Sequence, residues 1–216
     1  MEAVDGVVNT GSFMTPRHRH ASRLALAILA LVASGVDLPA LLAQERTARL
    51  DPAQTKIDFT LSDVLHTVHG TFKLKSGMIR FDPRAGTVAG NVVIDATSGE
   101  SGNGTRDRKM HKEVLQSETY PEISFTPDRW KGTLEAQGPS SIEVTGRFQM
   151  HGQEHEVTFP LDVAADGQQL KISSRIVLPY VDWGIKNPST FILRVSDKVT
   201  IDIHAEARTE NSDHPR

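Results

Sequence analysis

The stretch IEVTGRFQMHGQEHEVTFPLDV, residues 142–163, decides the fold. Ile142, Val144, Phe148 and Met150 occupy every second position with polar residues between them, and the run from Glu156 to Val163 alternates in the same way. A period of two belongs to a strand with one buried face. His151-Gly152 stands between the two runs, where the tight turn of a hairpin belongs.

The pattern continues outward in both directions. Downstream, Leu170 to Leu178, Phe191 to Val195 and Val199 to Ala205 alternate, with Asp166-Gly167 as a further turn. Upstream lie Ile57, Phe59 and Leu61, then Phe72 and Leu74, then Ile79 and Phe81; Asn91 to Ala96 and Glu122 to Phe125 follow. Asp82 to Gly86 (DPRAG) reads as a turn, and Gly132 and Gly138-Pro139 as breaks. Ser98 to Thr105 (SGESGNGT) reads as an exposed loop. Arg106 to Gln116 (RDRKMHKEVLQ) carries helical spacing, with Met110, Val114 and Leu115 on one side. Roughly eight to ten strands and one short helix make an all-β antiparallel protein, a sandwich or a closed barrel. A barrel of about eight strands is just wide enough to hold one slender ligand.

The N-terminus reads differently. Arg17, Arg19 and Arg23 precede the uncharged apolar run Leu24 to Val36, which has the length of a signal-peptide core and is too short to span a bilayer. Leu41-Leu42-Ala43 then offers a cleavage site, so residues 1–43 are expected to be a signal peptide, with Met14 as the true start. The mature domain is expected over 44–207 and a flexible polar tail over 208–216. Loss of 1–43 removes Glu2, Asp5 and Asp37 together with Arg17, Arg19 and Arg23, which leaves the formal charge at -3. Such a balance does not attract nucleic acid. The chain has no cysteine, which excludes disulfides, thiolate metal sites and a cysteine nucleophile.

Five segments together resemble the YceI-like family of lipid- and polyisoprenoid-binding proteins: Leu65 to Phe72 (LHTVHGTF), Arg106 to His111 (RDRKMH), Tyr120 to Phe125 (YPEISF), Val144 to Gly152 (VTGRFQMHG) and Val181 to Ile185 (VDWGI). Their order and spacing agree with the family from about Leu50 to Ala207. The resemblance implies a lipocalin-like antiparallel barrel, export to the periplasm, and a long isoprenoid or fatty chain lying in the barrel. The chain departs from the commoner pattern at Arg108-Lys109-Met110-His111 and at Trp183 to Ser189.

Residues expected to line such a barrel are Phe59, Phe72, Leu74, Ile94, Phe125, Val144, Phe148, Phe159, Ile176, Tyr180, Trp183 and Phe191. Head-group contacts are expected from His66, His69, Arg106 and His111. The 98–105 loop has two readings: a phosphate cradle with Arg106 and Arg108 beside it, or a solvated loop capped by Asp107. A polyprenyl phosphate would need such a cradle and a quinone would not.

Catalysis finds little support in the residues. Ser101 lies in the glycine-rich loop without the strand-turn-helix setting of a nucleophile elbow. His151 and His155 flank a turn, and no His-Glu-x-x-His helix is present to suggest zinc. The expectation is an exported carrier or store for an isoprenoid (a polyprenyl lipid or quinone) or a related fatty amphiphile, with no enzyme activity, no resident cofactor and no metal. Transient membrane contact and a homodimer are compatible with it. The competing readings are a metal-dependent or lipid-modifying periplasmic enzyme, and a stress-induced interaction protein with a filled barrel.

Overall fold

The computed structural model describes residues 45–62, 67–189 and 194–211. The segment expected to be a signal peptide, His66, Phe191 and residues 212–216 lie outside the described residues, as does most of the strand expected over Phe191 to Val195. Among the described residues there are nine strands: β1 (Arg46–Leu50), β2 (Lys56–Ser62), β3 (Thr67–Asp82), β4 (Thr87–Glu100), β5 (Glu122–Lys131), β6 (Gly138–Met150), β7 (Gln153–Asp166), β8 (Gln169–Leu178) and β9 (Val199–Asn211). A helix, α1 (Gly104–Lys109), continues into a wider π-helical turn over Met110–Leu115.

Every neighbouring pair is antiparallel, and the sheet closes on itself. β1 and β2 both pair with β9 on one side and β3 on the other, so they share a single strand position. A short 3-10 turn at Pro52–Gln54, capped by the Asp51 carboxylate on the Ala53 amide, separates them. Nine strands in eight positions, with β3 pairing to β4, make a closed antiparallel barrel of eight strands with one short helix. Closure leaves no sheet edge to be blunted.

The hairpin that opened the sequence reading is present: Met150 pairs with Gln153 across His151 and Gly152, whose φ angles are 54° and 74°. Two successive positive φ values give the turn twist that suits flanking strands, and glycine makes the second of them cheap. Asp82 likewise ties the β3–β4 turn through the amides of Arg84 and Ala85.

Three expectations are corrected. The barrel does not end at Ala207, because Arg208 and Glu210 still pair with Arg49 and Thr47 of β1. Gly138-Pro139 begins β6 rather than separating strands; proline is tolerated at a strand's first residues. The glycine-rich run from Ser98 is not all loop, since β4 reaches Glu100 through an irregularity in which Thr71 pairs with Glu100 and Lys73 with Asp95. The Ser98 hydroxyl accepts from the Lys73 amide at this detour. It brings the end of β4 against the helix.

The interior is divided along the barrel axis. At the end carrying the β3–β4 and β7–β8 turns, Ala48, Phe81, Val163, Ala165, Leu170 and Ala207 form a packed core, with Trp130 against Phe81 at 6.1 Å between ring centres. At the other end, the inward residues of the same strands surround a space. On β9 the change is plain: Ala205 and Ala207 belong to the buried core, whereas Val199, Ile201 and Ile203 line the space.

Candidate functional site: an apolar cavity under a helical cap

The open end of the barrel holds a cavity of about 650 Å3. Its walls are aliphatic and aromatic, with Ile57 and Phe59 from β2, Phe72 from β3, Phe148 from β6, Ile176 from β8 and Ile203 from β9. Two elements close over it. The helical segment contributes Met110, Val114 and Leu115, and the connection from β8 to β9 contributes Tyr180, Ile185, Pro188 and Val195. Lys186 of the connection pairs with Glu113 of the helical segment at 2.9 Å and holds that carboxyl below its ordinary range.

The helical cap is fixed from beneath. His111 uses both ring nitrogens, Nε2 at 2.8 Å from the Gly99 carbonyl and Nδ1 at 2.9 Å from the Ser117 hydroxyl. A carbonyl can only accept, so the proton is assigned to Nε2. Gly99 has no room for a side chain: a Cβ there would meet the Phe72 ring at 2.5 Å and the Met110 methyl at 2.9 Å. The detour of β4 thus supports the helix and shapes the cavity wall together.

The connection is anchored by Tyr180, whose hydroxyl donates to the Ser196 carbonyl at 2.7 Å. Burial, followed by the nearby Asp197 carboxylate, pushes this hydroxyl up to about 12. It therefore stays protonated wherever the protein is folded under ordinary conditions. The Ser196 amide donates to the Ser62 carbonyl, which binds the connection to β2.

Of the residues expected to line the barrel, Phe59, Phe72, Ile94, Phe148, Ile176 and Tyr180 line the cavity. Leu74, Phe125, Val144 and Phe159 do not. Register sets Val144 beside Trp130 of the packed end, whereas Leu74 and Phe125 stand directly opposite Ile94 and Phe148, which do line the cavity; Phe125 stacks instead on Phe159 with ring centres 5.0 Å apart. Trp183 is also outside the cavity wall; it lies parallel to the His155 ring at 4.2 Å and tilted against Phe148 at 5.7 Å. The residues that sequence reading passed over include Ile57, Ile201 and Ile203, which strand parity alone would have found, and Lys109.

The head-group candidates are scattered. His69 is exposed on the outer face of β3, with Nδ1 at 3.2 Å from the Thr60 hydroxyl, while its neighbour Val68 faces the cavity. His111 holds the cap rather than lining the space. Arg106 does line the cavity mouth, as do Ser101, Asn103, Thr105 and Lys109. Arg108 does not, and its guanidinium donates to the Thr105 hydroxyl. Both loop readings are modified: the cap of α1 is Asn103, which accepts from the amides of Thr105 and Arg106, while Asp107 accepts from the Ser101 amide and hydroxyl.

Ser101 donates its hydroxyl proton to a carboxylate and accepts from Arg106, with no histidine base. This is a structural arrangement and does not activate a nucleophile. The rings of His151 and His155 are occupied against Tyr120 and Trp183. Among the described residues no group of three or more His, Asp or Glu side chains could hold a metal ion. No described helix is long and apolar enough to cross a membrane.

Comparison with known proteins agrees with this architecture. A UPF0312 protein of Pseudomonas putida strain GB-1 is 26% identical over 160 residues, covering 69% of this chain and 79% of its own length. The crystal structure of Burkholderia cenocepacia BcnA superposes with a TM-score of 0.62 at 21% identity, covering 73% of this chain and 98% of BcnA. A polyisoprenoid-binding domain from Saccharophagus degradans, implicated in plant cell wall breakdown, gives a TM-score of 0.60 at 17% identity over 76% of this chain and 98% of its own. The family model of the YceI-like domain matches residues 49–207, and the chain belongs to that family.

Proposed function

We propose that this protein is an exported carrier or store for a long-chain isoprenoid, a polyprenyl lipid or quinone, or a related fatty amphiphile, which it holds in the barrel and leaves chemically unchanged. The observation that carries the reading is the capped apolar cavity of about 650 Å3 at one end of an otherwise packed barrel. Pockets of about 300–1,000 Å3 take small molecules. Apolar walls favour a hydrocarbon chain at about 25 cal/mol for each square ångström removed from water, less the cost of ordering a flexible guest.

The name of the Saccharophagus degradans domain supports an isoprenoid as guest. Export to the periplasm is supported by the arginine-led apolar run before Ala43. A carrier loaded in a compartment without bulk lipid would take its guest from a membrane surface through the helix-capped mouth.

Organic extraction of protein purified from its own host, followed by mass spectrometry, tests the reading. A stoichiometric isoprenoid or fatty species is expected. A clean extract from protein that also fails to take up such lipids would overturn the carrier reading in favour of a filled-barrel interaction protein or an enzyme. N-terminal sequencing of the same sample should begin near Gln44, and an intact Met1 or Met14 terminus would overturn export.

A further inference from the structure

We propose that the cavity selects amphiphiles with an anionic head, a carboxylate or a phosphate monoester, held by Arg106 and Lys109 where the helical cap meets the mouth; this rests on the carrier reading above. Among the described residues these two are the charged side chains lining the cavity, and no carboxylate lines it. Arg106, Lys109 and Met110 follow the helical i, i+3, i+4 spacing, so both cations share the inward face with the methionine that touches the guest's space. The mouth is positive and the walls below it are neutral.

The arginine is prepared for such a partner. Its Nε donates to the Ser101 hydroxyl at 2.7 Å and its Nη2 to the Ser101 carbonyl at 2.8 Å. Ser101 is held in turn by Asp107, through its own amide at 2.9 Å and its hydroxyl at 2.5 Å. Neither bond uses Nη1. The guanidinium is thus oriented before any guest arrives, which reduces the rotamer freedom lost on binding.

Two acidic groups neighbour this arrangement: Asp107, which is bonded to Ser101, and Glu113, which is paired with Lys186, and neither lines the cavity. Among the described residues Lys109 makes no hydrogen bond and no close ion pair; its charge acts on Glu113 one turn on, whose carboxylate is held by Lys186. The Lys109 ammonium is free to swing over a bound head. A carboxylate or phosphate would receive charge-assisted bonds from both cations, whereas an alcohol or quinone would leave them to water.

The test uses two matched pairs on the delipidated protein, oleate against oleyl alcohol and farnesyl monophosphate against farnesol, by titration calorimetry at low ionic strength. The anionic member of at least one pair should bind about tenfold tighter or more, the strength expected of a single charge-assisted bond. Which pair shows the effect identifies a carboxylate or a phosphate. In the double variant R106Q and K109Q the ratio should fall to within about threefold while the alcohols bind as before. K109Q alone breaks no hydrogen bond and leaves the Glu113–Lys186 pair in place, and it should lower the ratio part of the way, so the test stands even if loss of Arg106 loosens the 101–107 turn. Equal affinities within both pairs, or a ratio that survives in the double variant, would overturn the proposal and leave the carrier reading intact. If no member of either pair binds, the carrier reading falls and takes this one with it.

Discussion

Enlarging one side chain at each end of the barrel should separate packing from function. Leu170 lies in the packed end, 7% exposed among Phe81, Val163 and Ala207. Ile201 lies in the cavity wall, paired across the sheet with Phe59 and Ile176, which also line the space. Leu170→Phe adds atoms where there is no room and should destabilise by about 1–3 kcal/mol. Ile201→Phe adds them into an existing void and should change stability by less than about 1 kcal/mol, since no neighbour has to move. The same substitution displaces about three methylene groups of any guest, each worth about 0.8 kcal/mol, which weakens binding by about 2 kcal/mol or roughly thirtyfold in Kd. Urea unfolding of the delipidated protein gives the first quantity. Displacement of a fluorescent polyene fatty acid gives the second. Equal destabilisation by the two substitutions would mean that the space is closed in solution, and full retention of binding by Ile201→Phe would mean that the guest sits elsewhere.

Three further outcomes are expected. His111→Ala removes the tie from the cap to the Gly99 carbonyl of β4 and the bond to Ser117 just past the helical segment, leaving that carbonyl and the buried Ser117 hydroxyl without these partners; it should cost about 1–3 kcal/mol and open residues 101–117 to limited proteolysis. The Nε2 atom of His155 is buried with no hydrogen-bond partner, so His155→Phe, which keeps the stack on Trp183, should leave the thermal midpoint unchanged or raised, and a marked fall would show that this nitrogen is bonded in solution. The Tyr180 hydroxyl is raised to about 12 in the fold, above its ordinary value, so its contribution is complete at neutral pH. It is lost as pH climbs from about 10 toward 12, because the unfolded chain releases its proton first. Urea midpoints across that range should fall more steeply for the native chain than for Tyr180→Phe.

The fold was legible where one face of a strand is buried and the other is wet. Residues 142–163 and 170–178 show it most clearly, because each inward position carries a large apolar side chain and each outward one a polar side chain. β1 escaped notice because its buried position is Ala48, too small to mark a period, and its neighbours are Thr47 and Arg49. The last residues of β4 escaped because glycine reads as loop. Here glycine is needed for the opposite reason, to let a strand pass under Phe72 and the helix. The polar end of β9 reads as a tail, yet its backbone pairs with β1 and its Thr209 is buried. In each case backbone pairing decides the structure, and side-chain hydrophobicity reports it only indirectly.

The site was less legible for a related reason. Alternation assigns a residue to the inner face of a barrel but says nothing about its height along the axis. Phe125, Val144 and Phe159 have the same inward parity as Phe148 and Ile176, yet they do not line the cavity: Val144 is set beside Trp130 of the packed end, while Phe125, directly opposite Phe148, and Phe159 fill space by stacking on each other. Helical spacing has a similar ambiguity. Met110, Val114 and Leu115 form an apolar stripe, and a stripe of that kind looks the same in sequence whether it covers a solid core or a hollow one. Lys109 differs, because a charged residue beside that stripe is unfavourable over a solid core and acceptable at the mouth of a cavity. In a barrel of this kind, the charge next to the apolar face of the cap is therefore a better sequence marker of a mouth than the histidines of the surrounding turns, whose rings are engaged in holding the cap and the hairpin in place.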